Sequence, residues 1–228
     1  MLYYRVLFGL MQVSCISCGR IEPMKSEPSE GSDEPNVYQS LLHRQRPGGR
    51  SAKVHAAVLQ ATGELLFEQG YAQLRIADVA QRAGVHETSI YRRWKTKAML
   101  VADTVLALFD QHVPNPDTGS FREDVLSFLP SLVRYLQSPE GEALGRACVD
   151  VSNLAEAAEA RQAVWGIWVD QFGVLVERAI ARGELPATIN AQIFLEMLIG
   201  PFFLRLLVTG EPLHEAMAVQ VIDLLLQH

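Results

Sequence analysis

Apolar residues recur at helical spacing along most of the chain beyond residue 50. In residues 74–97 the positions Ile76, Val79, Ala80 and Ala83 fall on one side of a short helix. No segment alternates between apolar and polar residues with a period of two over a useful length. The pattern therefore predicts an all-α fold class, because a half-buried strand needs that alternation.

A glycine separates this short helix from a second one. Gly84 follows the last apolar position, where glycine ends a helix because it accepts the left-handed conformation at little cost. Val85 is predicted to fill the corner, Ile90 to point inward and Trp94 to close the second helix. Two short helices around a tight glycine turn, the second with polar and cationic residues, are typical of the helix-turn-helix motif that reads DNA.

Further helices are predicted on both sides of this motif. Ser51 is the expected N-cap of a helix that ends at Gly70, and Gly63 inside it indicates close packing, since glycine costs about 1 kcal/mol there relative to alanine. After the motif, Thr96 is expected to cap a helix over 97–111. A break at 114–119 precedes five more helices, which are predicted over 120–137, 139–154, 156–182, 190–209 and from after Pro212 to Leu226. Ser138 is expected to cap the second of these, Gly183 to end the third and Asn190 to begin the fourth. Kinks are expected at Pro130 and at Gly200-Pro201.

Charge is distributed unevenly along the 228 residues. The net charge is -6, yet residues 44–97 contain ten cations against four acids, a net of +6. Residues 98–228 contain seven cations against seventeen acids, a net of -10. This asymmetry indicates that one part of the chain binds phosphates and that the other part does not.

The three cysteines predict neither a disulfide framework nor a metal site. Cys15 and Cys18 form a lone Cys-x-x-Cys pair, whereas a structural zinc needs four ligands. Cys148 is expected to be a small buried apolar residue. We expect no metal and no cofactor.

The N-terminal 43 residues are predicted to form a disordered extension. The apolar run over 1–12 is too short to span a membrane, and Met24 is a plausible natural start. Residues 44–50, with Pro47-Gly48-Gly49, are expected to form a flexible basic arm. The predicted domains are thus the extension (1–43), a helix-turn-helix DNA-binding domain (44–97) and a helical ligand-binding and dimerisation domain (98–228).

In the helix-turn-helix motif and the helices on either side of it, the sequence resembles the TetR (tetracycline-repressor-like) family of bacterial regulators. The resemblance covers about residues 51–109 and rests on Val58-Leu59-x-Ala61, Leu65, Gly70-Tyr71, Asp78-Val79-Ala80-x-x-Ala83-Gly84-Val85, Ser89-Ile90-Tyr91-Arg92, Trp94 and Thr96-Lys97-x-x-Leu100. A less specific similarity to one C-terminal subgroup of the family rests on Pro116-Asp-Thr-Gly-Ser, Pro139-Glu-Gly and the segment that begins Gly200-Pro-Phe-Phe. The resemblance implies that the second helix of the motif enters the major groove, and that the C-terminal helices form a ligand chamber and a dimer interface.

The sequence departs from the family at three positions. Arg75 stands where relatives commonly carry a capping serine or threonine, His86 where serine or alanine is common, and Lys95 where proline is common. The lost cap leaves the start of the first motif helix uncertain, and the added cations favour phosphate binding.

Candidate DNA-binding residues follow from the groove geometry, in which early residues of the second helix face base edges. His86, Glu87, Thr88 and Arg92 are predicted base contacts, although Glu87 is equally compatible with a first-turn acid favoured by the helix dipole. Phosphate contacts are predicted for Ser89, Tyr91, Arg93, Lys95, Lys97 and Arg75. Arg44, Arg46 and Arg50 either reach an adjacent minor groove or phosphate, or form a solvated tail.

Aromatic and apolar residues of the C-terminal part are the candidate ligand-binding residues. Trp165, Trp168 and Phe172 form a stripe at helical spacing that either lines a ligand chamber or packs in the hydrophobic core. The same two alternatives apply to six further residues, namely Phe128, Leu132, Tyr135, Cys148, Phe202 and Phe203. Such a set implies a hydrophobic or aromatic ligand. The last two helices are expected to form the seam of a homodimer.

The predicted function is a cytoplasmic, homodimeric repressor that binds a palindromic operator in double-stranded DNA and is released by a small hydrophobic molecule. An enzyme is disfavoured, because the histidines and carboxylates show no metal or triad spacing and no phosphate-binding glycine loop occurs. No membrane association is expected. The alternative is a ligand-binding helical protein with a degenerate DNA-binding half, supported only by Arg75 and His86.

Overall fold

The computed structural model describes residues 49–152 and 154–226, and every regular element within them is a helix, which confirms the predicted fold class. A 3₁₀ turn, Ala155–Ala157, precedes the seventh helix and a π-helical turn, Arg205–Thr209, follows the eighth. The nine helices of the described residues are α1 (Arg50–Gln73), α2 (Ile76–Ala83), α3 (Glu87–Trp94), α4 (Lys97–His112), α5 (Phe121–Gln137), α6 (Pro139–Ser152), α7 (Ala158–Ala181), α8 (Ala191–Leu204) and α9 (Ala216–Leu226).

Helix α4 lies between the N-terminal and the C-terminal helices of the described chain. It packs against α1 on one side and α7 on the other, while α1 also packs against α2 and α6. Helix α5 packs against α6, α7 and α9. The buried apolar side chains form one cluster from Val58 to Ile222. Movements within the C-terminal helices therefore have a continuous packed route to the first three helices.

The N-terminal end of α1 differs from the prediction. Gly49 occupies the N-cap position in an extended conformation and Ser51 lies inside the helix, so the predicted Ser51 cap is wrong. Gly70, with φ +75°, interrupts the helical conformation at the predicted end, and a further short helical stretch continues α1 to Gln73. Close packing at Gly63 is confirmed, since a Cβ atom there would lie 3.3 Å from Leu108 Cδ1.

Local capping explains where several other helices begin. Thr96 accepts a hydrogen bond from the Met99 N–H at 3.2 Å, and Asn190 accepts one from the Ile193 N–H at 3.0 Å. The Ser138 hydroxyl oxygen accepts from the Gly141 N–H at 3.0 Å. These side chains satisfy backbone donors that the first helical turn leaves free, as their residue types predict.

Gly141 permits a very close approach between two helices. A Cβ atom at this position would lie 1.8 Å from the carbonyl oxygen of Tyr135, so no larger residue fits without a backbone shift. The Pro139-Glu-Gly segment thus brings α6 directly against the end of α5.

Helix α8 also differs from the prediction. It runs through Gly200 and Pro201 to Leu204, and the change in hydrogen bonding comes later, in the π-helical turn. The Gly210 N–H closes that turn by donating to the Arg205 carbonyl at 2.9 Å. The change in hydrogen bonding therefore lies beyond the proline, and the kink at Gly200-Pro201 stays a prediction.

Candidate functional site

The turn between α2 and α3 has the geometry predicted for a helix-turn-helix. Gly84 adopts φ +67°, and the Val85 N–H donates to the Ala80 carbonyl at 3.0 Å. Ile90 and Trp94 are buried, so one side of α3 faces the core. The opposite side of this eight-residue helix is consequently presented outward.

The predicted DNA-contacting side chains of α3 lie on that outward side or beside it. His86 stands at the N-cap position and forms no side-chain capping bond. Tyr91 is 49% exposed, far more than a core aromatic residue. Ser89 and Arg93 are half-buried, whereas the remaining predicted contacts of this segment are exposed, namely His86, Glu87, Thr88, Arg92 and Lys95.

A buried carboxylate, which sequence reasoning missed, fixes the end of α3. Asp103 of α4 accepts a hydrogen bond from the Trp94 indole N–H at 2.8 Å, and the same oxygen lies 2.7 Å from Nε2 of His55. The rings of His55 and Trp94 stack with centroids 5.4 Å apart. This Asp103 junction, formed by Asp103, Trp94 and His55, joins α1, α3 and α4 at one point.

The sequence held one signal for this junction. Asp103 lies among the apolar residues of α4, and a carboxylate on a buried face needs a hydrogen-bonding or charged partner. The partners lie nine and 48 residues away in the chain, so local periodicity could not identify them.

Lys97, the first residue of α4, is bound to the turn between α1 and α2. Its ammonium donates to the carbonyl oxygens of Tyr71 at 3.0 Å and Leu74 at 3.2 Å, and lies 4.2 Å from the centroid of the Tyr71 ring. Burial lowers the pKa of Lys97, and the negative charge of Glu156 opposes that shift. Lys97 thus attaches α4 to the turn between α1 and α2 with two of its three N–H donors.

Two arginines of the basic segment are paired with acids. Arg75 donates twice to Asp78, at 2.9 and 2.8 Å, and this pairing raises the pKa of its guanidinium. Arg82 donates to both oxygens of Glu68 at 2.6 and 2.8 Å. Helix α2 begins directly after Arg75 although no side chain caps it, which resolves the uncertainty about its start.

The predicted basic arm lies largely outside the described residues. Arg44 and Arg46 precede them, and Arg50 is the first residue of α1 with a side chain that is not described. Their DNA contacts stay predictions.

Two apolar cavities lie between the C-terminal helices. The first has a volume of about 50 Å³, and five of its lining residues are predicted ligand contacts, namely Phe128, Leu132, Trp168, Phe172 and Phe203. The second, of about 170 Å³, lies between α4, α6 and α7 and is lined by Cys148, Trp165 and again Trp168. Trp168 therefore forms part of the wall of both cavities.

The second cavity corrects the expectation for Cys148. The residue is exposed rather than part of the closed core, because it lines the wall of the cavity. The surrounding helices nevertheless raise its pKa to about 11, since burial among apolar atoms disfavours the thiolate.

Two predicted ligand residues line neither cavity. Phe202 is fully buried, and Tyr135 is buried with its ring stacked on His112 at 4.9 Å between centroids. Within the described part of the chain, the Tyr135 hydroxyl and the Trp168 indole N–H have no hydrogen-bond partner.

No group of three or more histidine, cysteine or acidic side chains that could hold a metal ion occurs among the residues that the structure describes.

Comparisons with known proteins identify both parts of the chain. The family model "Bacterial regulatory proteins, tetR family" matches residues 58–104, and "Tetracyclin repressor-like, C-terminal domain" matches residues 115–225. The chain is similar to YdeS, an HTH-type transcriptional regulator of Bacillus subtilis, with 33% identity over 76% of this chain and 87% of the relative. It is also 29% identical to TetR of Mycobacteroides abscessus, a DNA-binding transcriptional repressor, over 74% of this chain and 89% of the relative.

The fold is also similar to that of a solved structure. The crystal structure of the TetR family transcription regulator SCO0332 superposes with a TM-score of 0.67 at 29% identity, and the match covers 77% of this chain and 97% of that one. The N-terminal and the C-terminal parts of the described chain thus both match the same kind of bacterial regulator.

Proposed function

The chain belongs to the TetR family of DNA-binding transcriptional regulators, and we propose that it is a homodimeric repressor whose palindromic operator complex is dissociated by a small hydrophobic ligand. The observation that carries this proposal is the placement of α4. The helix contributes to the walls of both cavities and also holds the helix-turn-helix through Lys97 and Asp103. The family consists of regulators and not of enzymes.

The DNA-binding part of the proposal assigns roles along α3. His86, Glu87, Thr88 and Arg92 would face base edges, because early and outward residues of a recognition helix enter the major groove. Phosphate contacts would come from Ser89, Tyr91, Arg93, Lys95, Lys97, Arg50 and Arg75. Arg75 would have to share its guanidinium between Asp78 and a phosphate, which makes it the weakest member of this set.

The proposed dimer rests on an uncovered apolar face of the last two helices. Met197 of α8 is 55% exposed and Leu224 of α9 is 69% exposed, and other large apolar residues nearby are Ile193, Leu204, Leu207 and Val219. By length and by its mean hydropathy of 1.7, the segment Ala191–Thr209 could span a membrane. Only 28% of it is buried inside the protein, so most of its apolar surface is uncovered. In a DNA-binding regulator, a second copy of the same face would cover these side chains.

The dimer would place two recognition helices about 34–36 Å apart, one turn of B-DNA, so that they read the two halves of a palindrome. Residues 44–97 would act as the DNA-binding domain, and residues 98–228 as the ligand-binding and dimerisation domain. Because the proposed operator is bacterial DNA, the protein would act in the cytoplasm. The repressor role is supported by the function of the M. abscessus relative.

The ligand would be a hydrophobic or aromatic molecule that occupies one or both cavities. Their walls are mainly apolar, with Trp168 between them. A ligand between α4 and α7 would displace α4, and the displacement would reach α3 through Trp94 and the α1–α2 turn through Lys97. Operator affinity would then fall, because the ligand favours a dimer with the two motifs at the wrong separation.

A gel-shift titration tests this proposal. The full chain is titrated against the DNA upstream of its own gene, at several salt concentrations and against random DNA, and then with a panel of aromatic and aliphatic compounds. We expect a retarded complex on the upstream DNA that at least one hydrophobic compound dissolves. Absence of any preference over random DNA would contradict the repressor role and favour the alternative of a ligand-binding protein with a degenerate DNA-binding half.

A further inference from the structure

A long groove runs along α1 beside α4 and α6. Eight of its lining residues, from Ala52 to Phe67, recur at helical spacing on α1, and the rest come from α4 and α6. At 1.5 Å per residue this face is about 22 Å long. The groove has a volume of about 690 Å³, larger than either apolar cavity, and is called the α1–α4–α6 groove below.

The floor of the groove is apolar and its edges are acidic. Ala52, Ala56 and Gly63 leave room for a guest, and Phe67 at one end is 52% exposed. Glu64, Asp110 and Glu140 lie along it, and no lysine or arginine is found among its described lining residues. Glu64 also pairs with Arg82 of α2 at 3.8 Å, which leaves Asp110 and Glu140 as the acids farther from α2. A fitting occupant therefore combines apolar side chains with positive charge.

The chain supplies such a segment directly before α1. Residues 37–48 contain Val37, Tyr38, Leu41 and Leu42 at the spacing of one helical face, followed by the cations Arg44 and Arg46. Proline and glycine favour turns, so Pro47-Gly48-Gly49 permits a reversal of direction, and the groove begins at Ala52, three residues after Gly49. Twelve residues reach about 18 Å as a helix and about 40 Å when extended, so the segment can follow most of the groove.

We propose that residues 37–48 dock in the α1–α4–α6 groove of their own chain, with the apolar side chains on its floor and Arg44 and Arg46 beside its acids. Docking and DNA contact exclude each other for these two arginines, because one guanidinium cannot serve both partners. The segment is thus an intramolecular ligand of the DNA-binding part, and the positive charge available to DNA depends on whether it is docked.

Limited trypsin digestion of the DNA-free full chain tests the docking. Trypsin cuts after Arg44, whereas the Arg46–Pro47 bond resists it, so one cleavage reports on the segment. We expect Phe67→Ala and Glu140→Lys each to accelerate cleavage after Arg44 by about fivefold or more, because the rate follows the undocked population. Cleavage is followed by mass spectrometry, and circular dichroism confirms that each variant is folded.

The chain offers a matched control for each variant. Tyr91→Ala removes an equally exposed aromatic side chain outside the groove. Glu159→Lys reverses an exposed acid in the first turn of a different helix, as Glu140→Lys does in α6. Both controls should leave cleavage after Arg44 at the wild-type rate.

Three results would overturn the proposal. Equal cleavage rates in wild type and both groove variants would show that the segment lies elsewhere. Protection that arises only after operator DNA is added would assign the segment to DNA. A change of molecular mass in solution for Phe67→Ala, with unchanged cleavage, would assign the groove to a second copy of the chain.

Discussion

The ammonium of Lys97 is engaged within the protein before any DNA is present. It binds the carbonyl oxygens of Tyr71 and Leu74, and these two bonds use two of its three N–H donors. In the proposed complex, Lys97 would influence DNA binding in two ways, by orienting the helices and by contacting a phosphate. The two contributions respond differently to salt, because only a phosphate contact releases counterions.

We predict that Lys97→Ala weakens binding to operator and random DNA alike and lowers the slope of log affinity against log salt by about one. Fluorescence anisotropy at five salt concentrations measures this slope, with the exposed Lys53→Ala of α1 as a control that leaves it unchanged. Loss of thermal stability with an unchanged slope would restrict Lys97 to its structural role.

Unlike Lys97, which is bound within the protein, Arg92 is exposed on α3 and could reach a base edge. We predict that Arg92→Ala costs about 1–3 kcal/mol in operator binding and relaxes the preference at one base pair, because a guanidinium can donate two bonds to guanine. Competition binding with single-base operator variants measures this. Arg146→Ala, an exposed arginine of α6, is the matched control. Equal losses on operator and random DNA would remove Arg92 from the base-reading set.

At the level of elements, two glycines of α6 form a natural comparison. A Cβ atom at Gly141 would meet the Tyr135 carbonyl oxygen at 1.8 Å, whereas one at Gly145 would meet only Leu206 Cδ2 at 3.4 Å. Both lie inside the helix, where alanine is favoured over glycine by about 1 kcal/mol.

We therefore predict opposite effects of the same substitution. Gly141→Ala should lower the free energy of unfolding by about 3 kcal/mol or more, because helix backbones must separate, while Gly145→Ala should be neutral or stabilising by up to about 1 kcal/mol. Urea denaturation followed by circular dichroism measures both. Similar stabilities for the two variants would show that α6 does not approach α5 as closely as described.

Most helices were predictable because their causes are local. Thr96, Ser138 and Asn190 accept hydrogen bonds from first-turn backbone N–H groups, and the 3.6-residue spacing of apolar positions marks the buried faces. The start of α5 was predicted at Ser120, yet its side chain forms no cap. The Phe121 N–H is instead bound by Glu184, 63 residues away, and no local pattern contains that information.

The parts of the candidate site that depend on local helical periodicity could also be predicted from the sequence. The outward face of α3 follows from the inward positions of Ile90 and Trp94. Periodicity does not distinguish an aromatic residue that lines a cavity from one that fills the core, so Phe128 and Phe202 were placed in one set although only Phe128 lines a cavity. The Asp103 junction was missed because its three residues come from three helices.

For the whole molecule, Cys148 offers a direct measure of occupancy in the second cavity. Its pKa is raised to about 11 and alkylation proceeds through the thiolate, so at pH 8 only about one thiol in a thousand is reactive. We predict that iodoacetamide labelling of Cys148 rises about tenfold per pH unit between pH 8 and 10 without a plateau. Peptide mass spectrometry measures the rate, with glutathione as the reference thiol.

Ligand binding should then slow the labelling of Cys148 at fixed pH, because the thiol lines the cavity. A plateau near pH 9 would show that the thiol behaves as an ordinary exposed cysteine. Unchanged labelling with a compound that dissociates operator DNA would place that compound outside the second cavity.

In the proposed mechanism, two copies of α3 read two half-sites, and a ligand that displaces α4 dissociates the complex. Its most direct test is the affinity of the full chain for an intact operator and for the same DNA with one half-site scrambled, at a fixed salt concentration and with and without ligand. The account predicts two protomers on the intact site, an affinity at least about 1,000-fold above that for random DNA, a large loss on the scrambled site, and release by a hydrophobic ligand. Equal affinity for intact, scrambled and random DNA would contradict it.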